Sequence, residues 1–370
     1  MTIDKQFLEN LNSKVLSHAA FQEVVDTVLG KIQYDKSTGF GLVVGVTGVG
    51  KTTVMRRLVR ILGEYVSSEA GGEYEPPIVL TMASPERQVF SWADFYRTSL
   101  VDGIRDPFFE KRIDLNDALI GYIRDGIRRR SRTSTIPALR AAFIEGTNRR
   151  RPIALFIDEI QQLCKVTSRD KAHMNLDVLK TISDIVLCPV IGVGTSLAYQ
   201  MLYENEQMAR RSDVINFRRY GASDEDAAEY RDVVSGIKDE LGIPLAEEVA
   251  RDPAYFYRGS LGCVGITMDW VLRALALCAM EGGRVVTRKH LDRKKLGEKA
   301  IAALAKAVKA ADAMQAESRD FDVVNWLGEQ NSVYGHAKRK SDPGAAKPGR
   351  RKPKLDPVGG LRDEMKRDLR

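Results

Sequence analysis

Gly45-Val46-Thr47-Gly48-Val49-Gly50-Lys51-Thr52 decides the fold. It has the G-x-x-x-x-G-K-[ST] spacing of a phosphate-binding loop. Glycines let such a loop curl until its backbone N–H groups point inward at phosphate oxygens, at the N-terminus of the helix that follows. The context is the required one. The buried-strand pattern Gly41-Leu42-Val43-Val44-Gly45-Val46 precedes the loop, and a helical pattern over Thr53–Leu62 follows it. Gly45, Thr47, Gly48, Val49, Gly50, Lys51, Thr52 and Thr53 are therefore the expected nucleotide-binding residues. Lys51 would reach the β- and γ-phosphates of ATP, and the Thr52 hydroxyl would ligate Mg²⁺.

The loop's partner lies further along the chain, in Ile153-Ala154-Leu155-Phe156-Ile157-Asp158-Glu159. An apolar run ending in two acids reads as a buried strand that delivers carboxylates at its C-terminal edge. Asp158 is placed to hold Mg²⁺, and Glu159 to take a proton from an attacking water. A paired acid of this kind suits water as the nucleophile, so the expected reaction is ATP hydrolysis to ADP and phosphate. Val190–Val193 is a further strand, leading into Gly194-Thr195-Ser196, where Thr195 could sense the γ-phosphate. Arg210 and Arg211 precede the short strand pattern Val214–Phe217. An arginine offered to a neighbouring subunit can stabilise charge on a transferring phosphoryl group.

With Ile78–Met82, these make five short apolar strand candidates separated by helical patterns. Such alternation predicts an α/β fold, a parallel sheet with helices on both faces. Beyond Gly221 the strand signals stop. Ser223 and Asp226 form a capping-box pattern that opens a helix through Leu241, which Gly242 and Pro244 end. A second helix is expected from Leu261 to Met280, and a third from Thr287 to about Met314. The division that follows is an N-terminal helical segment over 1–35, a core over 36–221 and an all-helical lid over 222–314. Residues 315–337, with Phe321-Asp322-Val323-Val324-Asn325-Trp326-Leu327, read as a partner-docking segment, and 338–370 as a basic disordered tail.

Composition bounds the rest. The chain has 370 residues, 44% of them hydrophobic, and a formal charge of +7. The tail 338–370 carries 12 Lys/Arg against 5 Asp/Glu, while the rest holds 45 of each sign. The body is thus neutral, which argues against a uniformly cationic surface. No apolar run is long enough for a membrane helix, and the N-terminus shows no secretory pattern. A cytoplasmic protein is expected. Cys164, Cys188, Cys263 and Cys278 have neither zinc-site spacing nor a disulfide framework.

These motifs, in this order and followed by a helical lid, resemble the AAA+ ATPases over residues 15–310. Finer features are similar to the TnsC/TniB transposition regulators, including those of CRISPR-associated transposons, with MuB a more distant analogue. They are His18-x-x-Phe21, Leu100-x-x-Gly103-x-x-Asp106-Pro107, Asp158-Glu159-Ile160-Gln161-Gln162-Leu163 and Val193-Gly194-Thr195. The resemblance implies a bacterial, DNA-associated homo-oligomer, a hexameric ring or helical filament on double-stranded DNA. It also implies partnership with a transposase and target-selection proteins. Lys111 and Arg112 would fall near the DNA-facing segment, and the basic run carrying Arg128 and Arg130 offers further phosphate contacts. One departure stands out. The lid arginine usual in AAA+ ATPases has no clear counterpart near Gly259-Ser260-Leu261-Gly262, where Arg258 and Arg273 are the nearest cations. An origin-type or helicase-loader ATPase shares the fold but would be expected to carry a further DNA-binding domain. A signalling or secretion NTPase would share it without binding DNA.

Overall fold

Alternation along each strand sorts the core into two layers. Phe40, Leu42 and Val44 join one apolar cluster with Leu155, Ile157 and Val190, while Val43, Phe156 and Ile191 join another. Side chains of period two on a strand buried on both faces produce this split. The computed structural model describes residues 11, 14–34, 40–68, 72–104, 135–204 and 212–320. Five strands lie in it: β1 (Phe40–Val44), β2 (Ile78–Thr81), β3 (Leu155–Asp158), β4 (Val190–Gly194) and β5 (Ser212–Asn216). Their order is β2-β3-β4-β1-β5, and every pairing is parallel. The register aligns Val44 with Gly194 and Asn216, and Thr81 with Asp158. The C-terminal ends of the strands therefore share one edge, where open α/β sheets bind ligands.

Helices cover both faces. α1 (Ala19–Tyr34) buries Phe21, Val24, Val25 and Val28, and α2 (Lys51–Ser68) buries Val54, Met55, Leu58 and Leu62 on the same side. The opposite face carries α3 (Trp92–Thr98), a π-helical turn over Ser99–Ile104, α4 (Thr135–Arg150), α5 (Arg169–Ile185) and α6 (Ser196–Glu204). A 3-10 turn, Ile160–Cys164, connects β3 to α5. The expected α/β fold is the observed one, with each strand within two residues of its predicted limits.

The region after β5 is helical, as expected, though more finely divided. α7 (Asp224–Asp239) starts at Ser223, whose Oγ accepts the Asp226 N–H at 3.2 Å. The capping box is only half made. The Asp226 carboxylate turns back to the Gly221 N–H at 2.7 Å and to Arg218 instead of Ser223. Two short helices unannounced by the sequence follow, α8 (Glu247–Ala250) and α9 (Pro253–Ser260). α9 opens with Asp252 as N-cap and Pro253 in its first turn, and ends at left-handed Leu261. The long helix, α10 (Val264–Met280), thus begins three residues later than predicted. The helix expected over Thr287–Met314 is two: α11 (Arg288–Lys294) and α12 (Glu298–Asp320), parted by extended Lys295 and by Gly297.

Buried polar contacts tie these helices together. The Tyr230 hydroxyl meets Ser260 Oγ at 2.9 Å and Thr267 Oγ1 at 2.6 Å, and Trp270 Nε1 donates to Leu291 O at 2.8 Å. By contacts the chain divides into Met1–Ala316 and Glu317–Arg370. Of the second unit only the last turn of α12 is described. Among the described residues no single helix is long and apolar enough to cross a membrane.

Candidate functional site

The phosphate loop is anchored at both ends. Behind it, Phe217 N–H donates to Val44 O at 2.7 Å, and Gly45 N–H to Gly194 O at 3.4 Å. Ahead of it, Thr53 and Val54 N–H groups turn back to Gly50 O and start α2. Gly48 and Gly50 stand at φ +83° and +115°, which L side chains rarely adopt. Gly45 is required for space: a Cβ there would lie 2.7 Å from Phe217 O and 3.0 Å from Val49 Cγ1.

The loop borders a cavity of about 740 Å³. Thr47, Gly48, Gly50, Lys51, Thr52 and Thr53 line it on one side, and Glu159 and Thr195 on another. Gly45 and Val49 are buried behind this wall. Lys51 Nζ donates to the carbonyls of Gly45 and Val46 at 2.9 and 3.0 Å. Burial pushes its ammonium down to about 8, against the opposing pull of Glu159 and Asp158.

Asp158 is 8% exposed, and burial raises its carboxyl above the usual range. The Glu159 N–H donates to its Oδ1 at 2.8 Å, and the Thr52 side chain hydrogen-bonds the same carboxylate. A hydroxyl and a carboxylate side by side suit Mg²⁺, which takes hard oxygen donors. Among the described residues no group of three or more His, Cys, Asp or Glu forms a cation site. A P-loop Mg²⁺ needs none, because phosphate and water supply its other ligands.

Glu159 sits in left-handed backbone, φ 60° and ψ 34°, where a non-glycine residue is strained. Gln161 and Gln162 both direct amide donors at its Oε2. Thr195 follows β4 directly, and its N–H donates to Gln161 Oε1 at 3.2 Å. The structure thus brings Lys51, Thr52, Asp158, Glu159 and Thr195 to one place. Arg210, Arg211, Lys111, Arg112, Arg128 and Arg130 lie outside the described residues.

The lid closes the cavity with backbone. Ile266 N–H donates to Gly48 O at 3.0 Å, and a Cβ on Gly265 would lie 2.6 Å from that oxygen. Gly265, Ile266, Asp269 and Ala307 line the cavity from this side, and neither Arg258 nor Arg273 does. Arg273 instead pairs with Asp269 one helical turn earlier. Ser196, quoted with Thr195 at the end of the strand pattern, also lines the cavity, and sequence reasoning passed over Lys165, which lines it too. The only signal for Lys165 is its closeness in sequence to the acidic pair.

An AAA domain model matches residues 34–202. Among solved structures, the ORC1 protein of Aeropyrum pernix in complex with DNA is similar at a TM-score of 0.51 and 18% identity. The similarity spans 77% of this chain and 67% of that one. The ORC2 protein of the same organism, in ADPNP-ADP complexes, gives 0.47 at 12% identity over 79% and 71%. Domain III of the Thermotoga maritima replication initiation protein DnaA gives 0.42 at 10% identity over 83% and 98%. No curated protein matches the chain by sequence. The fold shown is the AAA+ P-loop fold, a parallel five-stranded sheet with helices on both faces, followed by a helical C-terminal region.

Proposed function

We propose that this chain is an ATPase that hydrolyses ATP between its phosphate loop and its buried acidic pair. The observation that carries the reading is the single cavity shared by Lys51, Thr52, Glu159 and Thr195. Loop N–H groups and Lys51 hold the phosphates. Thr52 and Asp158 hold Mg²⁺, which offsets the charge of the β- and γ-phosphates when bound. Glu159 accepts the proton of a water attacking the γ-phosphorus as the bond to the β-phosphate oxygen breaks. Thr195 contacts the γ-phosphate from the neighbouring strand end, and Arg210 and Arg211 reach it from the next subunit.

The finer reading is a cytoplasmic, homo-oligomeric, DNA-associated regulator of transposition, assembling on duplex DNA with ATP and engaging a transposase and target-selection proteins. Its support is the resemblance to TnsC/TniB in the order of motifs. Lys111, Arg112, Arg128 and Arg130 are the proposed phosphate contacts. The second reading, an initiator-type ATPase, draws on the ORC1 protein, which shares the fold and is in complex with DNA. Three assays separate the levels. Glu159→Gln should bind ATP and lose hydrolysis; retained hydrolysis would remove the ATPase mechanism as assigned. A gel shift on random duplex DNA with a non-hydrolysable ATP analogue at low salt should give ATP-dependent binding. No shift would leave an NTPase acting on a protein partner. Loss of transposition when the purified chain is omitted from a reconstituted reaction distinguishes the transposition reading from the initiator one.

A further inference from the structure

Gln161 is 5% exposed and lies between two groups the hydrolytic reading needs. Its Nε2 donates to Glu159 Oε2, and its Oε1 accepts the Thr195 N–H at 3.2 Å. Each end of the amide has one compatible partner. A flipped amide would set oxygen against carboxylate and NH₂ against N–H, so the chemistry fixes its orientation. Gly194 leaves room for it: a Cβ there would lie 3.1 Å from Gln161 Oε1. Gln162 Nε2 reaches the same Glu159 oxygen at 3.3 Å, while its own carbonyl oxygen is buried without a hydrogen-bond partner. The acid pinned by these amides is the residue whose backbone stands at φ 60°.

We infer that Gln161 is a positioning residue for hydrolysis, holding the Glu159 carboxylate by Oε2 and keying it to the end of β4 through Thr195. Oε1 is then the oxygen presented to the attacking water. A base misplaced by an ångström loses about a hundredfold in rate, so such a clamp has a catalytic consequence. Because the same amide binds the Thr195 N–H, displacement of the β4 end on γ-phosphate contact would move the base with it. The inference rests on Glu159 being the base.

Two substitutions divide the amide's functions. Gln161→Met keeps length and volume and loses both hydrogen bonds. Gln161→Glu keeps an acceptor for the Thr195 N–H and loses the donor to Glu159. Both should lower kcat by about a hundredfold, with ATP affinity held within about threefold. A purely structural role at β4 would spare Gln161→Glu, so wild-type kcat in that variant overturns the inference. Should Gln161→Met not fold, Gly194→Ala crowds the same oxygen from the other side and should lower kcat with affinity held; wild-type kcat there counts equally against it. Measuring Glu159→Gln alongside keeps the two levels apart. If it still hydrolyses ATP, the assignment of the base has failed. If it is inactive while the Gln161 variants turn over normally, only the positioning role has failed.

Discussion

Ile266 donates its backbone N–H to the carbonyl of Gly48 at 3.0 Å, fastening the first turn of α10 to the phosphate loop. The contact is close on the side-chain side too. A Cβ on Gly48 would lie 2.4 Å from Ile266 Cγ1, and Gly48 stands at φ +83°. Lid and loop are therefore in direct contact, and a side chain added at Gly48 would meet Ile266 of α10.

Gly48→Ala tests that fastening. The new methyl group both strains the backbone and drives Ile266 off the loop, so ATP affinity should fall by at least about tenfold. Adding Ile266→Ala removes the clash but not the positive φ, and should restore part of the loss. Fluorescent-nucleotide titration of the single and double variants reads both effects. Equal affinities in the two would mean that Ile266 does not transmit the change.

Arg219 stabilises the junction between sheet and lid. Its Nη1 donates to Tyr220 O at 3.0 Å and to Leu261 O at 3.3 Å, and its Nη2 pairs with Asp312 at 2.6 Å. Arg219→Met keeps much of the packing and leaves these acceptors unmatched. Chemical denaturation should show a loss of about 1–3 kcal/mol. Wild-type stability would show that water replaces the guanidinium at no cost.

How far the sequence disclosed this arrangement depends on what carried each signal. The five strands and the loop were legible because buried strands are short apolar runs and phosphate cradles need glycine at fixed spacing. The lid was less so. α9 and its left-handed cap at Leu261 depend on Arg219 and on the closeness of Gly262 to Tyr220, which are partners distant in sequence. The break between α11 and α12 rests on three residues inside an otherwise helix-favouring stretch. Gln161 was visible only as part of a family pattern, since its two partners are set by the approach of the β3 and β4 ends. The sequence offers no clear lid arginine near Gly259-Ser260-Leu261-Gly262, and among the described residues Gly265 and Ile266 line the cavity from the lid.

His18 predicts a pH dependence of stability. Its Nδ1 accepts the Phe21 N–H at 3.4 Å and lies 2.9 Å from the Tyr220 hydroxyl, so Nδ1 carries a lone pair in the folded protein. Burial, with Arg218 adding to it, pushes the imidazole down to about 4 from its usual 6.5. Above pH 6.5 the ring is neutral in both folded and unfolded chains, and the shift has no effect. As pH falls towards 4 the unfolded chain takes up a proton that the folded one refuses, so stability is lost across that window. The full penalty is at most about 3 kcal/mol. His18→Asn offers an acceptor that does not titrate. Urea denaturation at pH 7 and pH 4.5 should show a smaller drop for the variant than for wild type; equal drops would mean that other groups account for acid sensitivity.

Arg210 and Arg211 are the remaining test, because their proposed role needs a second subunit. The other arginine pair after α6 is already engaged within its own chain: Arg218 with Asp226 and Glu229, Arg219 with Asp312. That leaves Arg210 and Arg211 as the pair proposed to reach a neighbour's γ-phosphate. Arg210→Ala with Arg211→Ala should leave folding and ATP affinity nearly intact. Hydrolysis should fall steeply, since arginine fingers contribute roughly 10³–10⁵ in related NTPases. Mixing decides whether they act in trans. A Lys51→Ala chain, which should bind no nucleotide, keeps its arginines; the double-arginine chain keeps an intact phosphate loop. Co-assembled, each supplies what the other lacks, and ATPase activity should reappear with a maximum at intermediate ratios. No activity at any ratio, with co-assembly verified by pull-down, would place these arginines in their own subunit's chemistry or in none.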